Sequence, residues 1–238
     1  MSNNNIKICI EGVIGCGKST LIEELKNYLN ILDDEFICIK EPIEEWMNMK
    51  NEKNKNLFQS YVTNRKRWSF TFQINAILSK IKQLEEIPQE NKMILLERSI
   101  YTDYHIFSKL AFDNHDMDIN EWNIYQKCFQ EIEKNNQNIE TDGYIYIQTN
   151  PETCLNRINK RNRKGENKIT KEYIYQLYEK HEEWLINNEK KPVLIISGEP
   201  DYYRDEELKN KLILKILNFI RDIKIKNNKT TNDLFLHE

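Results

Sequence analysis

Nine consecutive residues, Gly12-Val13-Ile14-Gly15-Cys16-Gly17-Lys18-Ser19-Thr20, carry the spacing G-x-x-x-x-G-K-S. Closely spaced backbone N–H groups in such a loop wrap a polyphosphate, and the lysine meets its outer oxygens. The pattern predicts a nucleoside triphosphate site. Cys16 lies inside the loop, and we read it as a small residue that fits there. Two absences narrow the chemistry. No Asn-Lys pair is followed by Asp at the spacing of an N-K-x-D guanine reader, which argues against a GTPase. An ATPase typically ends a strand in a magnesium-holding aspartate, whereas the apolar run 93–96 ends in Glu97-Arg98-Ser99. Phosphoryl transfer to a small acceptor is the better reading.

Such groups need a scaffold that brings them to one edge. The run 6–10 is a short apolar strand candidate, and residues 19–32 read as a helix with Leu21, Ile22, Leu25, Tyr28 and Leu29 on one face. Strand, glycine loop and helix N-terminus therefore follow in the order a phosphate cradle requires. Further buried-strand patterns occur at 36–39, 93–96, 144–147 and 193–196. Helical patterns separate them: Trp122, Tyr125, Phe129 and Ile132 in one case, and Leu208, Leu212, Lys215, Ile216, Phe219, Ile220 and Ile223 near the end. Alternating strands and helices predict an α/β fold of P-loop type, a parallel sheet covered on both faces with ligands at the carboxyl ends of its strands. Residues 1–225 read as one domain, 48–56 as a polar surface loop, and 226–238 as a polar tail prone to fray. The aromatic stripe from 121 onward reads as core or subunit interface.

Bulk properties restrict the partners. The 238 residues are 39% hydrophobic and 31% charged with a net charge of −3, so no global positive field exists to hold nucleic acid or an anionic membrane. No apolar run is long enough to span a bilayer, and the first strand begins too early to leave room for a targeting peptide, which predicts a cytoplasmic protein. The five cysteines, Cys9, Cys16, Cys38, Cys128 and Cys154, form no C-x-x-C pair and no metal-ligand spacing, consistent with a reducing compartment.

Four further segments carry a specific resemblance: Glu41-Pro42-Ile43-x-x-Trp46, then Arg67-Trp68-Ser69-Phe70-Thr71-Phe72-Gln73, then Glu97-Arg98-Ser99-Ile100-Tyr101-x-Asp103, then Pro151-Glu152-Thr153-Cys154-Leu155-x-Arg157. In order and with few gaps, from the phosphate loop to about residue 220, the chain resembles the family of deoxycytidine, deoxyguanosine and mitochondrial thymidine kinases. The resemblance implies a five-stranded parallel sheet with a helical lid, a homodimer, and ATP or another triphosphate with Mg²⁺ as donor. The reaction it implies is phosphorylation of a deoxynucleoside at its 5′-hydroxyl in nucleotide salvage.

By the same resemblance, Glu41 orients the 5′-hydroxyl or accepts its proton, a task set by the poor nucleophilicity of a primary alcohol. Glu97 sits near Mg²⁺ with Ser19 or takes the proton itself; the sequence leaves the two roles open. Arg98 bridges the transferring phosphoryl or the 5′ oxygen. Arg157 and Arg161, one helical turn apart, and Arg163 resemble the lid that closes over the donor phosphates, and Glu166, after Lys164-Gly165, matches a sugar contact. Gln73, Ala76 and Lys80 share a helix face, with Gln73 matching the amide that reads the base edge. Tyr61 is expected to reach the 3′-hydroxyl, although an ungapped alignment puts Val62 there. Trp46, Phe72 and Phe107 wall the base, and Asp201-Tyr202 resembles the loop that touches the donor base. Asp103 pairs with Lys80 where relatives that accept cytosine or purines have an arginine. A lysine is a point charge rather than a planar fork, so Asp103 is expected to be held more loosely, and thymidine is the least favoured substrate. Two other readings share the fold: a nucleoside monophosphate kinase related to thymidylate kinase, which needs extra arginines at the acceptor site, with Arg65 and Arg67 the only spares, and a non-catalytic nucleotide-binding subunit.

Overall fold

The computed structural model describes residues 5–29, 36–88, 92–163, 166–202 and 204–234. Five strands, β1 (Ile6–Glu11), β2 (Phe36–Ile39), β3 (Met93–Glu97), β4 (Gly143–Gln148) and β5 (Val193–Ser197), form one all-parallel sheet in the order β2-β3-β1-β4-β5. The central strands are largely apolar because they are covered on both faces; β1, in which Lys7 interrupts the apolar run, and β3 are buried along their whole length. Register fixes where they end. Ile10 lies opposite Glu97 on one side and Ile145 on the other, so β1, β3 and β4 finish at nearly the same level. The crevice at their carboxyl ends opens beside β1, the point from which the strand order runs outward in both directions.

The helices are α1 (Lys18–Leu29), α2 (Ile43–Asn48), α3 (Leu57–Thr63), α4 (Arg65–Glu85), α5 (Ile100–Thr102), α6 (Lys109–Asp113), α7 (Ile119–Asn135), α8 (Pro151–Arg161), α9 (Lys171–Glu182) and α10 (Glu206–Leu234). Between α5 and α6 the chain takes a π-helical course over Asp103–Ser108, a widened turn of the kind often found at functional sites. The helix starts follow side-chain chemistry: Asp118 and Glu121 form a capping box on α7, and Asn150 caps α8 ahead of Pro151 at its first position. A left-handed Asn162 closes α8.

Two boundaries differ from the pattern-based ones. Helix α1 starts at Lys18, and its expected end at 32 falls outside the described residues. Helix α10 continues to Leu234, through the segment expected to fray, because no glycine or proline follows its last buried anchor, Ile223. Leu208, expected on its apolar face, is instead 39% exposed, while Leu212, Ile216 and Ile220 are buried. Trp122, Tyr125 and Phe129 belong to the core, with Tyr104 stacked on Phe129 at 4.3 Å. A second, smaller apolar cluster of Trp46, Leu57, Tyr61, Val62, Phe72 and Ala76 lies apart from the sheet and builds one wall of the crevice. The described residues include no helix long and apolar enough to cross a membrane.

Candidate active site

At the carboxyl end of β1 the chain turns into the glycine loop. Gly12 has φ +144°, and a Cβ there would stand 2.7 Å from Cys16 Sγ and 2.8 Å from the Ile147 carbonyl oxygen. Gly15 has φ +87° and would meet the Cys154 carbonyl oxygen at 2.5 Å. Only glycine allows both the backbone angle and the approach of β4 and α8. The buried Cys16 fills the space that Gly12 leaves, as a small packing residue. Lys18 is buried and donates to the Gly12 and Val13 carbonyl oxygens at 2.8 and 3.1 Å, which keeps its ammonium over the loop. Ser19 Oγ donates to Glu97 Oε1 at 2.6 Å, joining the first turn of α1 to the end of β3. Arg157 reaches down from α8 to the Cys16 carbonyl oxygen at 3.2 Å.

Beside the loop lies a buried ion-pair network. Arg98 follows β3 with φ +60°, an uncommon backbone state for a side-chain-bearing residue and one that marks stored strain. Its guanidinium donates to Glu41 Oε2 at 2.6 Å and to the Gly12 carbonyl oxygen at 3.2 Å, and it lies 5.1 Å from the centre of the Phe107 ring. Glu41 Oε1 stands 3.8 Å from Lys80 Nζ. Burial acts to raise the Glu41 pKa, but Arg98, Lys80 and Lys18 outweigh it and hold the carboxyl below its ordinary range. Glu41 is therefore an anion at neutral pH.

The crevice continues into a cavity of about 570 Å³. Every site residue expected from the sequence lines it except Gly12, Val13 and Lys80, which stand just behind its wall. Gln73 lines it from α4 and is almost wholly buried, as is Ala76 on the same helix, which packs in the small apolar cluster behind the wall. Phe72 meets Trp46 edge-on at 5.2 Å and stacks on Tyr61 at 4.3 Å. Asp103 and Phe107 both reach the cavity from the π-helical stretch. The expected looseness of Asp103 is not found. Lys80 Nζ meets its two oxygens at 2.8 and 3.0 Å and is steadied by the Ser99 carbonyl oxygen at 3.4 Å, so one ammonium serves both carboxylate oxygens. Burial pushes the Asp103 carboxyl up to about 6 against the pull of Lys80. Among the described residues, Gln73 Oε1 and Arg98 Nε are buried in this region without a protein partner, two polar atoms that a ligand would satisfy.

Arg161 and Arg163 come together with Glu166 rather than standing apart from it. Arg161 grips the buried Glu166 carboxylate with two bonds, at 2.8 and 3.1 Å, and Arg163 reaches it at 3.5 Å. A carboxylate this buried needs such partners. Lys164 and Gly165 lie outside the described residues. Asp201 and Tyr202 border the opposite mouth, where the Tyr202 hydroxyl donates to the Ser197 carbonyl oxygen at 2.8 Å.

Tyr61 and Val62 both line the cavity, and the hydroxyl of Tyr61 lies 3.3 Å from that of Tyr173. Sequence reasoning missed Tyr173. As the third residue of α9 it follows Arg161 and Arg163 closely, and that proximity was the available signal. Glu11 was also missed: wholly buried at the end of β1, it accepts from Ser99 N at 3.3 Å and from the Thr102 hydroxyl, tying the start of α5 to the phosphate loop.

A family model for deoxynucleoside kinases matches residues 8–221. The chain is 36% identical to a probable deoxycytidine kinase of fowlpox virus over 92% of its length and 90% of that protein. It is 34% identical to deoxycytidine kinase 2 of Gallus gallus, with 90% of each chain covered. Identity to deoxycytidine kinase of Homo sapiens is 36%, over 76% of this chain and 75% of that one.

Proposed function

This chain belongs to the deoxynucleoside kinase family, and we propose that within it the protein transfers the γ-phosphoryl of ATP to the 5′-hydroxyl of deoxycytidine or a purine deoxynucleoside. The observation that carries this reading is the buried chain Asp103–Lys80–Glu41–Arg98, which runs from the inner cavity to the phosphate loop. One end offers a carboxylate to an exocyclic amine of a base. The other offers Glu41 and Arg98 to the hydroxyl and the phosphoryl group that it attacks. The names of the matched deoxycytidine kinases support the same acceptor class.

Residue roles follow from position. A loose phosphoryl-transfer transition state asks more for orientation and charge than for a strong base, and an ionised Glu41 held by Arg98 suits the first demand. Glu41 receives the hydroxyl proton as the donor's bridging oxygen departs. Arg98 and Lys18 meet the negative charge on the transferred group. Ser19 and Glu97 would hold Mg²⁺; a single carboxylate and a hydroxyl beside the triphosphate match its preference for few protein ligands, and the ion would neutralise phosphate charge. Asp201 and Tyr202 border the donor base. Residues 1–225 form the kinase domain, which we read as cytoplasmic, a compartment that suits five free cysteines. The proposed homodimer has a candidate surface in exposed Leu78 on α4 and exposed Ile119 and Ile124 on α7, which packs beside α4. The proposed place in metabolism is nucleotide salvage.

A phosphate-transfer assay over the four deoxynucleosides and their 5′-monophosphates tests the reading. Phosphorylation of deoxynucleosides is expected. Exclusive use of monophosphates would overturn it in favour of a monophosphate kinase. Against that alternative, Arg65 sits by Tyr61 and Tyr173 rather than by Glu41, and Arg67 is exposed and stacked on Trp68. No transfer at all would leave the non-catalytic subunit.

Two variants probe the acceptor and the lid. Arg163→Ala is expected to lower kcat by about 10²-fold while nucleoside affinity changes little, because a guanidinium over the donor acts on charge that develops during transfer. It is a cleaner probe than Arg161→Ala, which would strip Glu166 of its two shortest bonds. If the variant only weakens nucleoside binding, the lid assignment is wrong. Tyr61→Phe is expected to cost a deoxynucleoside about 5- to 10-fold in kcat/KM and its 3′-deoxy analogue much less, since one hydrogen bond is at stake. Equal losses on both, or an effect confined to Val62 variants, would move the 3′ contact away from Tyr61.

A further inference from the structure

Arg65 opens α4 and lines the acceptor cavity. Its guanidinium carbon lies 3.4 Å from the centre of the Tyr173 ring and 5.8 Å from that of Tyr61. At that separation the flat face of the group is used by the Tyr173 ring, and its N–H donors remain at the edges. Among the described residues, no carboxylate comes within ion-pair distance of it and no oxygen accepts a hydrogen bond from it. The groups that act on its charge are the Tyr173 and Tyr61 phenols and Asp116, with neither Glu41 nor Glu97 among them. Arg65 therefore stands on the Tyr61–Tyr173 wall of the cavity, outside the Glu41–Arg98 ion-pair network. A guanidinium has five donors and stays charged at any accessible pH, and its planar fork matches the paired oxygens of a phosphate.

The position of the other groups says what part of an acceptor comes near. In the orientation proposed above, on which this inference rests, the 5′ carbon points to Glu41 and Arg98 and the base lies among Gln73, Phe72 and Asp103. On that reading the sugar edge that remains carries the 3′ oxygen toward Tyr61, whose hydroxyl lies 3.3 Å from that of Tyr173, and toward Glu166, whose charge is already met by Arg161 and Arg163. Anything attached to that oxygen extends toward Arg65. We propose that Arg65 forms an anion subsite for a phosphate on the 3′ oxygen, so that the cavity binds nucleoside 3′-phosphates in competition with nucleosides.

The test uses the full-length protein and calorimetric Kd values for three probes: the deoxynucleoside best used in the transfer assay, its 3′-phosphate and its 5′-phosphate. In the wild type the 3′-phosphate is expected to compete with the nucleoside. Arg65→Met keeps an apolar stem against Tyr173, and it should raise the ratio of 3′-phosphate Kd to nucleoside Kd by about tenfold to a hundredfold, the value of a charge-assisted contact. Arg65→Lys, which keeps the charge without the fork, should raise it by less; it decides the matter if thermal melting shows Arg65→Met unfolded. An unchanged ratio in these variants overturns the subsite. So does an equal loss for the 5′-phosphate, which would mean a general field rather than a site. A wild type that phosphorylates nucleosides yet does not bind the 3′-phosphate overturns the subsite alone, whereas one that phosphorylates no nucleoside overturns the acceptor reading beneath it.

Discussion

Replacing Glu41 with glutamine is expected to lower kcat by about 10²- to 10⁴-fold while the fold and donor binding are retained. Glutamine keeps the length of the side chain and an oxygen for Arg98 Nη1, which Glu41 Oε2 now receives at 2.6 Å. It removes the negative charge that orients the hydroxyl and takes its proton. The pH dependence has a definite sign. Arg98, Lys80 and Lys18 depress the Glu41 pKa in the folded protein, so the stability contributed by this ion pair is complete above the ordinary carboxylate range and is lost as pH falls through the lowered value. The variant should lack that acid-side loss, visible as a flatter dependence of Tm on pH at the acid end. Glu97→Gln is the control: bonded to Ser19, it should alter the magnesium dependence of kcat more than the acceptor step. Near-normal turnover in Glu41→Gln, with a large loss in Glu97→Gln that added magnesium does not relieve, would transfer the proton-acceptor role to Glu97.

Much of this arrangement was legible because a few local rules had no competitor. The glycine spacing, the apolar run before it and the helix after it can be satisfied together by one geometry, and the structure has it. Strand ends were legible for a similar reason: buried parallel strands are continuous apolar runs, so the first charged residue after a run, as at Glu97-Arg98, marks the edge of the sheet. Gln73, Ala76 and Lys80 could be placed on one face from helical spacing alone. Contacts between distant segments were not legible. The Lys80–Asp103 pair was expected only through the resemblance; that Lys80 also approaches Glu41, and that Tyr61 finds Tyr173 112 residues away, depends on how α3, α4 and α9 pack. Glu11 lies one position past the apolar run 6–10, and nothing local shows that Thr102, 91 positions later, supplies its partner. The left-handed backbone of Arg98 was equally hidden, since its sequence contains no glycine or asparagine to announce it.

The network also sets how base choice must be tested. An ionised Asp103 only accepts hydrogen bonds, which suits the exocyclic amine of cytosine or adenine, while the same edge of thymine presents a carbonyl and a methyl group. Wild type should therefore prefer deoxycytidine or a purine deoxynucleoside to thymidine in kcat/KM. Asp103→Ala alone would strand the Lys80 ammonium in the wall 3.8 Å from Glu41 Oε1, and Lys80→Met alone would leave Asp103 buried without its cation. Breaking a buried pair from one side costs about 3–5 kcal/mol, enough to confuse specificity with damage. Changing both, Asp103→Ala with Lys80→Met, removes the polar demand without leaving a charge behind and should raise thymidine use relative to deoxycytidine by about 10²-fold or more, because the strong rejection of a mismatched ligand comes from the group left unpaired. Acid should act in the same direction on the wild type. With burial holding the Asp103 pKa at about 6, protonation as pH falls through that value turns the acceptor into a donor able to meet the thymine carbonyl, so the preference should shrink between pH 7.5 and pH 5.5. The double variant has no carboxyl at that position and should show no such pH dependence of the ratio. A wild type already best with thymidine, or a double variant whose ratio equals that of wild type at pH 7.5, would show that base choice is set elsewhere in the cavity.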